Sequence, residues 1–191
     1  MRHAIVPLRS GWDQGCGDAF FYPEDLPEEW RLTYFSNELQ GVVVEPQAWV
    51  PVEPARLREW TGEVSSTFRF YLRSPVSPPC SQACRRARQA LGSHFGGWIL
   101  WHALDIGADL EIADDAPIYR EIEAESEVPA EAAALAWEVP ASARADLRGG
   151  RAWLEDYARV AAGRPALALM GTASVETVKR WQALIQLLGL G

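Results

Sequence analysis

Apolar positions along this chain alternate between short continuous runs and helical spacing, and the alternation repeats almost to the end. His3 to Leu8 is a short apolar run that predicts a first strand, closed by the turn residues Arg9-Ser10-Gly11. A Gly- and Asp-rich loop follows. A helix is expected from near Asp25, where the Asp can cap free amides, Pro27 suits the first turn, and Glu28 and Glu29 face the positive end of the dipole. Leu26, Trp30 and Tyr34 share one side of it and Leu32, Phe35 and Leu39 another, a broad apolar face. Gly41 to Glu45 is a continuous β-branched run, as in a strand buried on both faces of a parallel sheet. Pro54 to Val64 predicts a short helix carrying Leu57 and Trp60. Thr67 to Leu72 predicts the next strand, which Ser74-Pro75 ends.

The second half is less even. Ser81 to Leu91 predicts a helix, and Gly96-Gly97 introduces a strand over Trp98 to Trp101. Ala108 to Ile112 is a further short strand candidate. Residues 113–133 are acidic and rich in Ala and Glu, and read as either a helix or a solvated excursion. Ala134 to Val139 predicts a strand. Gly149-Gly150 precedes a helix with Trp153, Leu154, Tyr157, Val160 and Ala161, which Gly163 terminates. Ala166 to Met170 predicts a small strand, and Ser174 caps a last helix whose stripe is Val175, Val178, Trp181, Ile185 and Leu188. The recurring strand–helix unit predicts an α/β fold. Its sheet is mostly parallel and TIM-barrel-like but shortened or incomplete, with roughly six to seven strands and flanking helices. The 191 residues suit a single domain, 1–191.

Composition adds limits. The nine Trp predict a core stacked with indoles. The net charge of −8, with one Lys (Lys179) among 18 basic residues, speaks against a nucleic-acid partner. The cluster Arg85, Arg86 and Arg88 is too short to reverse that. Three Cys cannot form a disulfide framework, and no apolar run approaches a membrane span, so a soluble cytoplasmic protein is expected.

If the sheet is parallel, Trp12, Asp13, Glu45, Arg73, His102 and Asp105 converge on one rim. Of these, Trp12, Asp13, Glu45, Arg73 and His102 are the candidate ligand-binding residues. A Glu, an Arg and a His in one mouth can bind a small anion or perform acid–base chemistry. The plainer alternative is a structural ion pair between Glu45 and Arg73. Cys80 and Cys84 are four apart near a helix start beside Arg85 and Arg86, a setting that can lower a thiol pKa. Their spacing is not that of a zinc pair, and no metal site is expected. There is no GxSxG, P-loop, HExxH or GxGxxG in a strand–helix setting, and no cofactor is expected.

Gly11-Trp12, Phe21-Tyr22-Pro23, Leu32, Phe35, Val42, Trp49, Trp60, Phe68, Phe70, Arg73 and Pro75 fall in an order that resembles the YecE-like family, barrel proteins carrying a domain of unknown function. Ile99-Leu100-Trp101-His102 is similar to the family's Ile-Leu-Phe-Gln strand, and Ala166 to Leu188 to its closing strand and helix. The resemblance implies a barrel with its site at the strand C-termini. The chain departs from the pattern there: Val43 stands for the family's strand carboxylate, Glu45 for its Asn, and Gly171-Thr172 for a polar Asn pair. The implied function is an uncharacterised YecE-like protein binding a small polar or anionic ligand at that end. The alternative is a non-catalytic interaction or scaffold protein that has lost the site, which an exposed apolar patch around Trp98 or Trp137 would favour.

Overall fold

Strand and helix alternate along the chain as the periodicity predicts. The computed structural model describes residues 4–13, 21–75, 81–101, 116–124 and 128–191. The strands are β1 (Ile5–Leu8), β2 (Gly41–Val44), β3 (Arg69–Arg73), β4 (Phe95–Leu100), β5 (Ile118–Ile122), β6 (Ala134–Glu138) and β7 (Ala166–Leu169). The helices are α1 (Arg31–Glu38), α2 (Pro46–Trp49), α3 (Pro54–Gly62), α4 (Ser81–Leu91), α5 (Ala141–Ala145), α6 (Leu147–Ala161) and α7 (Val175–Leu187). All seven strands join one parallel sheet in the order β1-β7-β6-β5-β4-β3-β2.

The sheet curls until its two edges meet. Just past the end of β1, Val43 N–H donates to the Arg9 carbonyl and Gly11 N–H to the Val43 carbonyl, each at 2.9 Å, and Ser10 bridges Val43 in parallel. These two bonds pull the mouth of an almost closed barrel together, and so shield the edges an open sheet would expose.

Because side chains alternate along a strand, each strand feeds two cores. Leu8, Val43, Tyr71, Ile99, Tyr119, Ala134, Ala136, Leu167 and Leu169 point inward and fill the lumen. Val42, Val44, Phe70, Leu72, Trp98, Leu100, Leu135 and Ala168 point outward and pack against Leu32, Phe35, Leu57, Tyr157 and Trp181 of the helices. Trp12, Trp49, Trp60, Trp98 and Trp181 are buried in this outer shell, so the indole-rich composition is core packing.

Four expectations change. The helix expected from near Asp25 opens as a single 3-10 turn over Glu28–Trp30 and becomes α1 only at Arg31, which leaves Trp30, expected on its apolar face, 59% exposed. The segment 113–133, read as a helix or a solvated excursion, contains β5. Its outward Ile118 and Ile122 and inward Tyr119 are good strand formers, and its two charged residues, Arg120 and Glu121, hid the pattern. Gly96 and Gly97 do not precede β4 but lie within it. Gly149 and Gly150 lie within α6, whose true N-cap is Asp146: its carboxylate accepts from Gly149 N–H at 2.9 Å. Gly150 lets α6 pack closely there: a Cβ would sit 3.1 Å from the Trp181 ring, tighter than ordinary van der Waals contact. The expectation for Ala108 to Ile112 lies outside the described residues.

Candidate functional site

β2, β3, β5 and β6 end with inward-facing polar residues one step above the apolar lumen. The run of buried valines in β2 stops at Glu45, whose next residue, Pro46, cannot donate to the strand ladder, suits a first helical turn and starts α2. That helix brings Trp49 back over the sheet, where its indole N–H donates to the Arg73 carbonyl at 3.0 Å. The end of β3 is thereby tied to the element that follows β2.

Arg73 is the hub of the mouth. Its guanidinium places Nη1 3.4 Å from Glu45 Oε1 and Nη2 3.0 Å from Glu121 Oε1. Only 10% of the Arg73 side chain and 7% of the Glu121 side chain are exposed, so this is a desolvated ion pair rather than a surface contact. Trp101 lies against Arg73 with the guanidinium carbon 4.7 Å from its ring centroid. Ser10 Oγ donates to the same Glu45 Oε1 at 2.9 Å.

The opposite wall comes from β6, α5 and the turn after β7. Glu138 ends β6, and Arg144 on α5 donates from Nη1 to the Met170 carbonyl. Gly171 sits between them with φ +54°, a left-handed conformation that favours glycine. Together Ser10, Glu45, Arg73, Glu138, Arg144, Leu169, Gly171 and Thr172 line an open cavity of about 330 Å³ at the C-terminal end of the barrel. Its lining mixes carboxylates, guanidinium groups and hydroxyls, the composition of a polar binding cleft.

Of the five residues singled out from the sequence, Glu45 and Arg73 meet in this mouth. Trp12 and Asp13 do not join it: β1 has turned outward by then, and Trp12 packs in the outer shell with its ring centroid 5.0 Å from that of Trp60. Asp13 lies beside it at a separate cleft of about 220 Å³ with Glu28, Arg56 and Glu63. Partial burial raises the Asp13 carboxyl pKa, against the smaller opposing pull of Arg31. His102 and Asp105 lie outside the described residues, as do Cys16 and Cys80; Cys84 is buried on the inner face of α4. Sequence reasoning missed Glu121, Glu138 and Arg144. The signal for Glu121 was Ile-Tyr-Arg-Glu-Ile after Pro117, three strand formers around a charged pair. Among the described residues no three His, Cys, Asp or Glu side chains stand together as a metal site, and no helix is long and apolar enough to cross a membrane.

No family model matches the sequence, and no curated protein matches it. Solved structures do match. A DUF72 family protein (TM1631) from Thermotoga maritima MSB8 superposes with a TM-score of 0.65 at 8% identity, covering 96% of this chain and 100% of that chain. A DUF72 family protein (EF0366) from Enterococcus faecalis V583 is similar in two crystal structures. One gives a TM-score of 0.59 at 10% identity over 95% of both chains, the other 0.56 at 9% identity over 100% of both. At such identities the likeness is one of fold: this chain shares its barrel architecture with DUF72 family proteins.

Proposed function

We propose that this chain is a divergent YecE-like barrel protein that binds a small polar ligand in the mouth formed by Glu45, Arg73, Glu138 and Arg144. The observation that carries this reading is the cavity itself. A guanidinium is held almost out of solvent by two carboxylates at the floor of an open, polar-lined cleft at the strand C-termini, the end at which parallel barrels hold their ligands. A purely structural ion pair accounts for Arg73 and Glu121. It does not account for the open volume between Glu45 and Glu138, whose exposed carboxylate has no protein partner among the described residues. The scaffold alternative gains little, because Trp98 is fully buried and Trp137 packs on Trp153 and Tyr157.

The test is a thermal-shift screen of the full chain against small polar metabolites, repeated on Thr172→Trp, which fills the cleft from an exposed position. A ligand present at 100 times its Kd stabilises by about 2.7 kcal/mol. Compounds that raise Tm in the parent and not in Thr172→Trp are expected. A screen with no hits, or with hits indifferent to that substitution, overturns the reading.

A further inference from the structure

Which groups in the mouth keep unspent hydrogen-bonding capacity decides what a ligand must offer, and this step rests on the cleft being a binding site. Arg73 has committed both terminal nitrogens to Glu45 and Glu121, and its buried Nε has no hydrogen-bond partner among the described residues. Its charge is therefore consumed within the protein. Glu45 uses Oε1 for Ser10 and Arg73 and keeps Oε2. Glu138 keeps both oxygens among the described residues. Arg144 uses Nη1 on the Met170 carbonyl and keeps Nη2 and Nε. Among the described residues the cleft thus offers its contents two carboxylates, Glu45 on one wall and Glu138 on the other, and one guanidinium, Arg144, beside Glu138.

A simple anion matches only Arg144 and is repelled by Glu45 and Glu138. A neutral polyol can bond to all three, but it covers three charges without supplying a counter-charge, and desolvated charge without a partner is costly. A molecule with an ammonium at one end and a carboxylate at the other answers each group. Gly171 leaves the space for it. A Cβ there would lie 3.1 Å from Arg144 Nη1 and 3.4 Å from Glu138 Oε1, so no side chain intrudes between the acidic and basic groups of that wall. We infer that the mouth takes a small amino-acid-like zwitterion, its ammonium against Glu45 and Glu138 and its carboxylate on Arg144.

Isothermal titration of the full chain at low salt tests this. The probes are the common L-amino acids, the N-acetyl and carboxamide derivatives of any that bind, inorganic phosphate, succinate and inositol. At least one amino acid is expected to bind, and N-acetylation or amidation to weaken it by roughly tenfold or more, as loss of a charge-assisted contact implies. Glu138→Gln is expected to weaken the parent amino acid while leaving its N-acetyl derivative unchanged. Arg144→Gln is expected to do the same for the parent against its amide. Circular dichroism and Tm confirm that both variants fold. Tighter binding of phosphate, succinate or inositol than of any amino acid overturns the zwitterion and leaves the binding cleft standing. Silence from all these probes, when the metabolite screen yields hits sensitive to Thr172→Trp, does the same. Silence in both experiments overturns both readings.

Discussion

Arg73 and Glu121 face each other across the floor of the mouth, Nη2 to Oε1 at 3.0 Å, from strands β3 and β5 that are separated by β4. Such a pair contributes little net stability, because the lost hydration of both ions offsets their attraction, yet removing one partner strands the other. Glu121→Leu is expected to lower the unfolding free energy by about 3 kcal/mol, and Arg73→Met by a similar amount. The double variant is expected to recover most of that loss. Urea denaturation of the four proteins closes the cycle, and strictly additive losses would show that the pair is not coupled.

Gly97 and Tyr119 state why a barrel this narrow can close around two phenol rings. A Cβ at Gly97 would lie 2.8 Å from the Tyr119 ring and 2.6 Å from the Pro117 carbonyl, and Gly97 has φ +141°. Gly96 does the same for Tyr71, whose ring would meet a Cβ at 2.8 Å. The two rings pack edge to face with centroids 5.7 Å apart. Gly97→Ala therefore combines overpacking with backbone strain, and a loss of at least about 2 kcal/mol is expected. The companion Gly97→Ala/Tyr119→Leu relieves the ring clash but not the carbonyl contact, so partial recovery in thermal melts is the expected result. No recovery would place the whole cost in the backbone.

The legibility of this fold follows from where its strands carry charge. β2, β7 and the outward face of β3 are near-continuous apolar runs between breakers, and their reading as buried parallel strands holds. β5 was obscured because Glu121 is spent on Arg73, a partner 48 residues away that no local pattern reveals. The site divides the same way. Glu45 and Arg73 sit at the ends of readable strands, so their convergence follows from a parallel sheet. Glu138 and Arg144 become site residues only through the turn of α5 back toward Gly171. A parallel sheet brings Trp12 and Asp13 to the rim only if the chain runs straight on past β1. The chain leaves the barrel at Gly11, where φ is +67°, and carries them to the outer shell.

Arg9 is buried to 1% exposure at the barrel seam, on the outward face of β1. Its guanidinium carbon lies 5.8 Å from the Phe35 ring centroid, and its Nε and Nη1 have no hydrogen-bond partner among the described residues. A cation–π contact of about 2 kcal/mol does not repay the several kcal/mol of desolvating a guanidinium. Arg9→Met keeps the stem and removes the charge. It is expected to raise stability by about 1–3 kcal/mol, on the scale seen when buried charges give way to apolar groups. A fall in the urea midpoint at unchanged slope would show that the charge is satisfied in a way this geometry does not display.

Burial raises the pKa of Tyr71, Tyr119 and Tyr157 above the ordinary phenol value of 10.0. For Tyr157 the hydroxyl also donates toward the Leu135 and Leu167 carbonyls, at 3.1 and 3.0 Å, which ionisation would destroy. Near and above pH 10 the unfolded chain releases these protons more readily than the folded chain. The unfolded state then binds fewer protons, and stability falls as pH rises. Well below pH 10 the three groups are neutral in both states and contribute no slope. Each tyrosine that stays protonated adds a loss of about 1.4 kcal/mol per pH unit above that point. Tyr71→Phe and Tyr119→Phe remove an ionisable group without changing the ring packing, so each is expected to flatten the alkaline limb, by up to one such increment. Tyr157→Phe flattens it too, and costs about 1 kcal/mol at neutral pH for the lost hydrogen bonding. Urea denaturation from pH 8 to 11.5, followed by circular dichroism, reads all three. An alkaline limb unchanged by the three substitutions would mean that the phenols ionise in the folded barrel as they do in water.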